Sequence, residues 1–193
     1  MKKHLPFYAL LLVYSCVTWS QNKTTFGSDN ASRCYQESNA PFSDYGIRYC
    51  TAAIRNDDLV LRDLAATLTN RGIIYSANGQ LESAMKDHNE AMLISPDMGK
   101  IYVNRGNVYH QYHEYEKALA DYDKAIELAN VPLDIAYYNK ALSLIRLKRW
   151  DDAREALEQA LEINPESGRV KRKLAQFDEP KAKPAATVVT PED

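Results

Sequence analysis

Residues 99–132 decide the fold, and they read GKIYVNRGNVYHQYHEYEKALADYDKAIELANVP. The stretch contains two short segments whose apolar residues recur at helical spacing. A few residues between these segments predict a tight turn. We therefore predict two amphipathic helices that fold back on each other as a helical hairpin.

The same pattern occurs once before and once after this stretch. The earlier copy is ATLTNRGIIYSANGQLESAMKDHNEAMLISPD, and the later copy is AYYNKALSLIRLKRWDDAREALEQALEINPES. The step from Gly72 to Gly106 is 34 residues and the step from Ala118 to Ala153 is 35, which predicts that one residue is added in the loop around residues 130–133. A nearly constant period of this length indicates a solenoid of stacked hairpins.

Each copy alternates large and small residues at fixed positions. In the first helix the pattern is Leu68-Gly72-Tyr75, Tyr102-Gly106-Tyr109 and Tyr137-Ala141-Leu144. In the second helix it is Ala84-His88-Ala91-Pro96, Ala118-Tyr122-Ala125 and Ala153-Leu157-Ala160-Pro165. The chain thus resembles the tetratricopeptide repeat family, in its bacterial exported type. The resemblance implies an all-α fold, an α-solenoid of antiparallel helix hairpins. Two features depart from the family pattern: His88 is polar where an aromatic residue is usual, and the added residue near Val131 is expected to alter the angle between the last two hairpins.

We predict a solenoid domain over residues 29–177, with full repeats at 65–98, 99–132 and 134–167. A degenerate hairpin precedes the full repeats, and a capping helix with Val170, Leu174 and Phe177 on one face follows them. Residues 178–193 contain several prolines and no aromatic residue, which predicts a disordered tail.

The first 20 residues have the layout of a secretory signal peptide. A basic start is followed by a mostly apolar run over residues 5–17 that is short for a membrane span, and small residues precede a cut near Ser20. We therefore expect a periplasmic or secreted protein, which meets the membrane only through this segment. Two alternatives stay open: an uncleaved anchor, and a lipoprotein processed and acylated at Cys16.

Cleavage would leave two cysteines, Cys34 and Cys50. An even pair in an oxidising compartment predicts a disulfide, and the spacing is unlike that of a CxxC redox or metal motif. The formal net charge of −2 gives no reason to expect nucleic acid as a partner.

An asparagine stands two residues before the small residue in the first helix of every copy. These residues, Asn70, Asn104 and Asn139, form what we call the asparagine ladder. A carboxamide both donates and accepts hydrogen bonds, so the ladder can hold the main chain of an extended peptide whatever its side chains. The same amides can instead bond to neighbouring hairpins and stiffen the solenoid. Both readings stay open.

The resemblance implies that a peptide or protein binds along a concave surface lined by first helices. Four further residues complete the predicted peptide-binding set: Asn107, Gln111, Tyr138 and Arg146. The surface lacks the basic cluster with which chaperone-binding members of the family hold a C-terminal carboxylate, because Thr69, Ile73 and Ile135 stand at those positions. A cytosolic chaperone adaptor is therefore disfavoured.

The sequence offers little for catalysis. His110 and His113 lie near Glu114 and Glu116 and could share a metal, but no third ligand is evident. No nucleophile motif, HExxH motif or phosphate-binding glycine loop occurs. We predict a non-catalytic scaffold of the cell envelope that needs no cofactor and no metal. The alternatives are a periplasmic metal-binding protein or metalloenzyme that uses the two histidines, and a membrane-anchored lipoprotein adaptor.

Overall fold

The computed structural model describes residues 29–40 and 44–178, and this part of the chain folds into helices only. The predicted signal peptide and nearly all of the predicted tail lie outside the described residues. The helices are α1 (Asp29–Ser38), α2 (Asp44–Asn56), α3 (Leu61–Ala77), α4 (Leu81–Ile94), α5 (Gly99–Gln111), α6 (Tyr115–Leu128), α7 (Leu133–Arg146), α8 (Trp150–Ile163) and α9 (Gly168–Asp178). This architecture confirms the predicted all-α solenoid of hairpins.

The helices pair in sequence order, α1 with α2, α3 with α4, α5 with α6 and α7 with α8, while α9 packs on α8. The first helices of neighbouring hairpins also contact each other, α1 with α3, α3 with α5 and α5 with α7. The second helices do not pack on one another to a comparable extent in the described chain. The stack therefore curves with its first helices inside, and we call their inner side the concave surface.

The small residues of the first helices allow the two helices of a hairpin to approach closely. A Cβ atom on Gly106 would lie 2.6 Å from Cε1 of Tyr122 on α6, which no real contact tolerates. Gly72 stands in the same relation to His88 on α4. Glycine weakens a helix by about 1 kcal/mol relative to alanine, and this contact is the packing reason for accepting that loss.

The three full hairpins share one turn. Each turn has a residue in the left-handed region, Gly79 (φ 74°), His113 (φ 63°) and Lys148 (φ 61°). In each turn the next residue's N–H also bonds to a carbonyl five residues back, for example Glu114 to Tyr109 at 2.9 Å. The left-handed conformation therefore belongs to the repeat and not to the residue type.

The residue added between the second and third repeats lengthens α7 and leaves the loop unchanged. The connections over residues 95–98 and 129–132 are equally long, whereas α7 begins one residue further ahead of Ala141 than α5 begins ahead of Gly106. Asn130 fixes this connection, since its Oδ1 accepts from the Gly99 N–H (2.9 Å) and its Nδ2 donates to the Asp97 carbonyl (2.7 Å).

The N-terminal hairpin is joined at its centre by Cys34 and Cys50, whose sulfurs lie 2.11 Å apart, at disulfide distance. Both cysteines are fully buried and pack with Ile74 of α3. The predicted cysteine partners thus lie together between α1 and α2, which form the first hairpin of the described chain.

At the other end, α9 covers the last hairpin. Val170 is buried in the core of α7 and α8, and Leu174 and Phe177 pack against the same core. Within residues 29–40 and 44–178, no helix combines the length and the hydropathy that crossing a membrane requires.

Candidate functional site

The seven residues predicted to bind a peptide all lie on helices that form the inner side of the stack. They lie on three adjacent first helices: Asn70 on α3, Asn104, Asn107 and Gln111 on α5, and Tyr138, Asn139 and Arg146 on α7. The first helix of a hairpin presents the same face in every repeat, so residues at equivalent positions line up across the stack.

Two members of the asparagine ladder bond to the neighbouring hairpin. Asn70 Oδ1 accepts a hydrogen bond from Lys100 Nζ on α5 (3.0 Å). Asn139 Nδ2 donates to Asn107 Oδ1 on α5 (3.0 Å). These contacts are the ones that the stiffening interpretation requires, because each of them joins the first helices of successive repeats.

Asn104, the middle member, behaves differently. Its Nδ2 donates to the carbonyl of Lys100 one turn earlier in the same helix (2.8 Å). This bond sets the orientation of the amide without joining two hairpins. Asn104 is therefore the ladder residue whose removal disturbs the scaffold least.

Three side-chain amides use one end within the protein and leave the other end without a partner among the described residues. The unused atoms are Asn104 Oδ1, Asn107 Nδ2 and Asn139 Oδ1. They are not among the buried polar atoms that lack a partner, so solvent reaches them. Asn70 is only 5% exposed and has the least to offer a ligand.

A polar cluster fixes the junction between the second and third full hairpins. Tyr122 donates its hydroxyl hydrogen to Asn107 Oδ1 (2.9 Å), and His110 Nδ1 lies 2.8 Å from Ser143 Oγ on α7. Burial raises the pKa of Tyr122, so the hydroxyl stays protonated and remains a donor. Asn107 is thus held in one orientation by both Tyr122 and Asn139.

The remaining predicted residues also make contacts on or beside the concave surface. Gln111 Nε2 donates to Ser76 Oγ on α3 (2.6 Å), and Arg146 Nε donates to the Tyr115 hydroxyl (3.0 Å). The Arg169 guanidinium of α9 lies 4.9 Å from the ring centroid of Tyr138. Arg169 of the capping helix therefore packs against one of the predicted residues.

Lys100 is a functional candidate that the sequence did not suggest. Its half-buried ammonium bonds to Asn70 and lies 5.7 Å from the ring centroid of Tyr35 on α1. Burial lowers the pKa of Lys100, because the charged form loses hydration. No periodic pattern marks this position, since the equivalent residues are Ala66 and Ile135.

The arginines beside the ladder have a structural role that the sequence analysis missed. Arg71 binds Asp87 through both nitrogens of its fork (2.7 and 2.8 Å), and Arg105 binds Asp121 in the same way (2.8 and 2.6 Å). Both pairs are largely buried between the helices of one hairpin. In the sequence, each of these arginines is followed 16 residues later by the aspartate that it binds, and this constant spacing could have indicated the two ion pairs.

The third full hairpin lacks this pair. Lys140 and Ala156 replace the arginine and the aspartate, and Lys140 Nζ instead reaches back to Asp123 Oδ1 on α6 (2.6 Å). A cleft of about 630 Å³, lined in part by Lys140 and Ala156, opens between α6, α7 and α8. The cleft lies on the second-helix side of the stack.

The two histidines are not brought together with further metal ligands. His113 Nδ1 lies 2.8 Å from the Tyr115 hydroxyl, and His110 Nδ1 faces Ser143. Among the described residues, no group of three or more His, Cys, Asp or Glu side chains could hold a metal ion. His113 also occupies the left-handed turn position that Gly79 and Lys148 occupy, which gives it a place in the fold without a metal.

The family of the chain can be identified by comparison with known proteins. Two family models, both described as tetratricopeptide repeat, match residues 64–95 and 97–166, together just over half of the 193 residues. A search of curated proteins by sequence found no match.

Several solved structures are similar in fold. The first TPR domain of Spaghetti (RPAP3), bound to the HSP90 peptide SRMEEVD, is 22% identical with a TM-score of 0.56, and the match covers 59% of this chain and 90% of that one. The first TPR domain of human RPAP3 is 21% identical with a TM-score of 0.58, over 61% and 91% of the two chains. A MamA RS-1 double mutant is 18% identical with a TM-score of 0.61, over 78% and 84%. The repeat pattern, the stacked hairpins and the matching family models agree, and the chain belongs to the tetratricopeptide repeat family.

Proposed function

We propose that this protein is a non-catalytic scaffold that binds an extended segment of another protein along its concave surface. The observation that carries the proposal is the set of unused amide ends on α5 and α7. Asn104 offers an acceptor, Asn107 a donor and Asn139 an acceptor, and each amide is already oriented by a hydrogen bond within the protein. The main chain of an extended peptide presents donors and acceptors in turn, whatever its side chains are.

In this proposal the asparagine ladder serves both of the roles considered from the sequence. Asn70 stiffens the solenoid, Asn104 directs its acceptor to the ligand, and Asn139 does both, with one end on each. Preorganised amides lose little conformational freedom on binding, which favours affinity. Gln111, Tyr138 and Arg146 border the same surface and would contact the side chains of the ligand.

A relative supports the proposal by analogy of fold. The Spaghetti TPR domain was solved with an HSP90 peptide bound. A shared fold does not by itself specify a shared ligand. The analogy therefore favours peptide binding as a class and leaves the sequence of the ligand to experiment.

We also propose that the protein works outside the cytosol, in the periplasm or beyond. The basic and apolar start of the chain supports export. The two cysteines at disulfide distance fit an oxidising compartment. Mass spectrometry of the mature protein tests this: a chain that begins at Gln21 supports cleavage, whereas an acylated Cys16 would replace it with the lipoprotein alternative, and an intact Met1 with the anchor.

The binding proposal can be tested with a displayed library of random peptides selected on the purified full chain. Dissociation constants of the selected peptides are then measured by fluorescence anisotropy. Asn104→Ala should weaken binding about 2- to 10-fold, the loss of one hydrogen bond. Gln159→Ala on the exposed face of α8 is the matched control and should leave binding unchanged.

Recognition of the ligand's main chain can be tested more directly with N-methylated peptides. A peptide N-methylated at a residue facing Asn104 cannot donate its backbone hydrogen, so it should bind more weakly than the unmodified peptide. The circular dichroism spectrum of Asn104→Ala should match that of the wild type. Selected peptides that bind Asn104→Ala as tightly as wild type, or that tolerate N-methylation throughout, would show that the asparagine ladder does not hold the ligand.

A further inference from the structure

The cleft between α6, α7 and α8 lies at the junction of the second and third full hairpins, on the second-helix side of the stack. Its volume of about 630 Å³ lies within the range of roughly 300–1,000 Å³ that is usual for ligand pockets. The buried part of its lining is apolar and includes Leu119, Leu144 and Ala156. The more exposed part carries six charged side chains, Glu116, Asp123, Lys140, Arg149, Asp152 and Glu155.

At the preceding junction, between α4, α5 and α6, the equivalent residues surround a guanidinium. Arg105 binds Asp121 with two hydrogen bonds and donates a third to Asn89 Oδ1 (3.0 Å). Its guanidinium carbon also lies 5.7 Å from the ring centroids of both Tyr102 and Tyr109. A planar guanidinium suits this place because it binds oxygens through its fork and stacks on aromatic rings.

The same place is open in the third hairpin because the residues that fill it are replaced. The arginine becomes Lys140, the aspartate becomes Ala156 and the second tyrosine becomes Leu144. Lys140 Nζ bonds to Asp123 on α6 (2.6 Å), and the alanine has no group that could bond to it. One aromatic wall is kept, since Tyr137 is the equivalent of Tyr102 and lines the cleft. No cation of the described residues stacks on the Tyr137 ring.

The charges of the lining favour a cationic occupant. The cleft has two carboxylates more than it has cations. Arg149 is paired with Asp152 (2.6 Å), and Lys140 is paired with one oxygen of Asp123. Within the described chain, Glu155 forms no ion pair and the second oxygen of Asp123 has no partner. Acceptors are therefore available on both sides of the cleft, on α6 and on α8.

The acidic side chains of this cleft are not part of the repeat pattern. Lys117 and Ala120 hold in α6 the positions that Asp152 and Glu155 hold in α8. On the facing wall, Asp123 replaces an asparagine of the preceding repeat. The replacements that open the cleft thus coincide with replacements that make its walls negative.

We propose that this cleft binds an arginine side chain of a partner protein, at a site separate from the concave surface. Tyr137 supplies a ring on which the guanidinium stacks, and Asp123 and Glu155 accept its hydrogen bonds. The methylene stem lies on Leu144 and Ala156. Because the carboxylates are exposed to water, their ion pairs contribute little by themselves. Stable binding needs further contacts around the arginine, which a protein segment provides and a free small cation does not.

The cleft can be probed with a capped amino acid. N-acetyl-arginine amide is titrated into the full chain while the methyl signal of Leu144 is followed by NMR. The signal should shift in a saturable manner at millimolar concentration. N-acetyl-citrulline amide has nearly the same shape without the charge and should produce no shift. Equal shifts with the two compounds, or none with either, would overturn the proposal.

Two variants connect the shift to the cleft. Lys140→Arg/Ala156→Asp rebuilds the ion pair of the first two full hairpins, so it should fill the cleft and abolish the shift of Leu144. Glu155→Gln preserves the fold if the double variant does not, and it should weaken binding of the arginine probe about two- to fivefold, the effect of an exposed ion pair. Glu158→Gln makes the same charge change on α8 outside the cleft and should have no effect. Equal effects of the two glutamate variants would exclude the cleft as the binding site.

Selection of displayed random peptides on the full chain tests for a protein partner. The wild type should yield arginine-containing peptides that bind Asn104→Ala unchanged. The double variant should bind them about tenfold or more weakly, since the ion pairs and the burial of the arginine stem are both lost. Peptides held by the concave surface should show the opposite pattern, so this site and the proposed function can fail independently.

The remaining outcomes would assign the cleft to another occupant. Shifts from capped arginine without any such peptide would indicate a small cation and overturn the protein partner. A wild-type dimer in sedimentation analysis that the double variant dissociates would indicate a second copy of this chain instead.

Discussion

The imidazole of His88 lies against the backbone of Gly72, so close that a Cβ atom on residue 72 would stand 2.6 Å from ring atom Cε1. The ring is fully buried, and neither of its nitrogens has a hydrogen-bond partner among the described residues. The equivalent residue of the next repeat, Tyr122, occupies the same space but gives its hydroxyl hydrogen to Asn107. The first full hairpin therefore packs like the second one but leaves a polar group unsatisfied.

Gly72→Ala should destabilise the protein. Overpacking costs about 1–3 kcal/mol, and the gain in helix propensity returns at most about 1 kcal/mol, so we expect a net loss of about 1–2 kcal/mol. Urea denaturation followed by circular dichroism measures it. Introducing Gly72→Ala into a His88→Ala background should cost far less, because the opposing ring is gone. An equal loss in both backgrounds would show that the His88 contact is not the cause.

His88 should make the protein sensitive to mild acid. Burial, together with the positive charges of Arg105 and Lys100, lowers the pKa of His88 to about 3, against about 6.5 in the unfolded chain. Between these two values the unfolded state binds more protons, so stability falls as the pH drops below 6.5 and is fully present above it. The expected slope is roughly 1 kcal/mol per pH unit.

His88→Phe keeps an aromatic ring of similar shape and removes the titrating group. It should raise the free energy of unfolding at pH 7 by about 1 kcal/mol, since it eliminates an unsatisfied buried polar ring. It should also reduce the loss of stability between pH 6.5 and pH 5 relative to the wild type, as measured by urea denaturation at each pH. Parallel pH profiles for the two proteins would contradict the assignment to His88.

The Arg105–Asp121 pair should be a main support of the central hairpin. Removing one partner leaves a largely buried charge without its counter-charge, so Asp121→Asn should cost about 3 kcal/mol or more. The exposed Arg149–Asp152 pair provides the control, and Asp152→Asn should cost less than about 1 kcal/mol. Thermal or urea unfolding measures both. Losses of similar size would mean that Arg105 is compensated by Asn89, its contact on α4.

Reduction of the cysteine pair should destabilise the N-terminal hairpin. Closing a loop with a sequence separation of 16 contributes about 3 kcal/mol in the chain-entropy model. We therefore expect the melting temperature to fall when dithiothreitol is added. The Cys34→Ser/Cys50→Ser double variant should melt at the lower temperature with or without reductant, and an unchanged wild-type melting curve in reductant would contradict a stabilising disulfide.

Features that recur in every repeat, or that leave one possible partner, could be predicted from the sequence, and most other contacts could not. Gly72, Gly106 and Ala141 recur in register, so their role at the helix contacts follows from comparing three copies of one unit. The cysteines could be paired because only two remain after cleavage of the predicted signal peptide. Recurrence in three copies and a single possible cysteine pair each leave few alternative structures.

The polar contacts of the concave surface could not be predicted from the sequence, for a physical reason. Whether Asn104 bonds to its own helix or to the next hairpin depends on offsets of a few ångströms between helices, which apolar periodicity does not encode. Lys100 has no counterpart in the other repeats, so nothing distinguished it from a solvent-exposed lysine. The aspartates that bind Arg71 and Arg105 could have been recognised, because each follows its arginine at the same separation. The third repeat has neither the arginine nor the aspartate.

That missing pair has a consequence for the order in which the solenoid comes apart. In a linear array, stability divides into the intrinsic free energy of each unit and the coupling between neighbours. The first two full hairpins hold an internal ion pair, whereas the third uses Lys140 to reach Asp123 of the unit before it. The stability of the third hairpin therefore depends more on its contacts with the second hairpin than on an ion pair of its own. Under native conditions, amide hydrogens of α7 to α9 should exchange through a partial opening that spares α3 to α6, so that the array unzips from its C-terminal end.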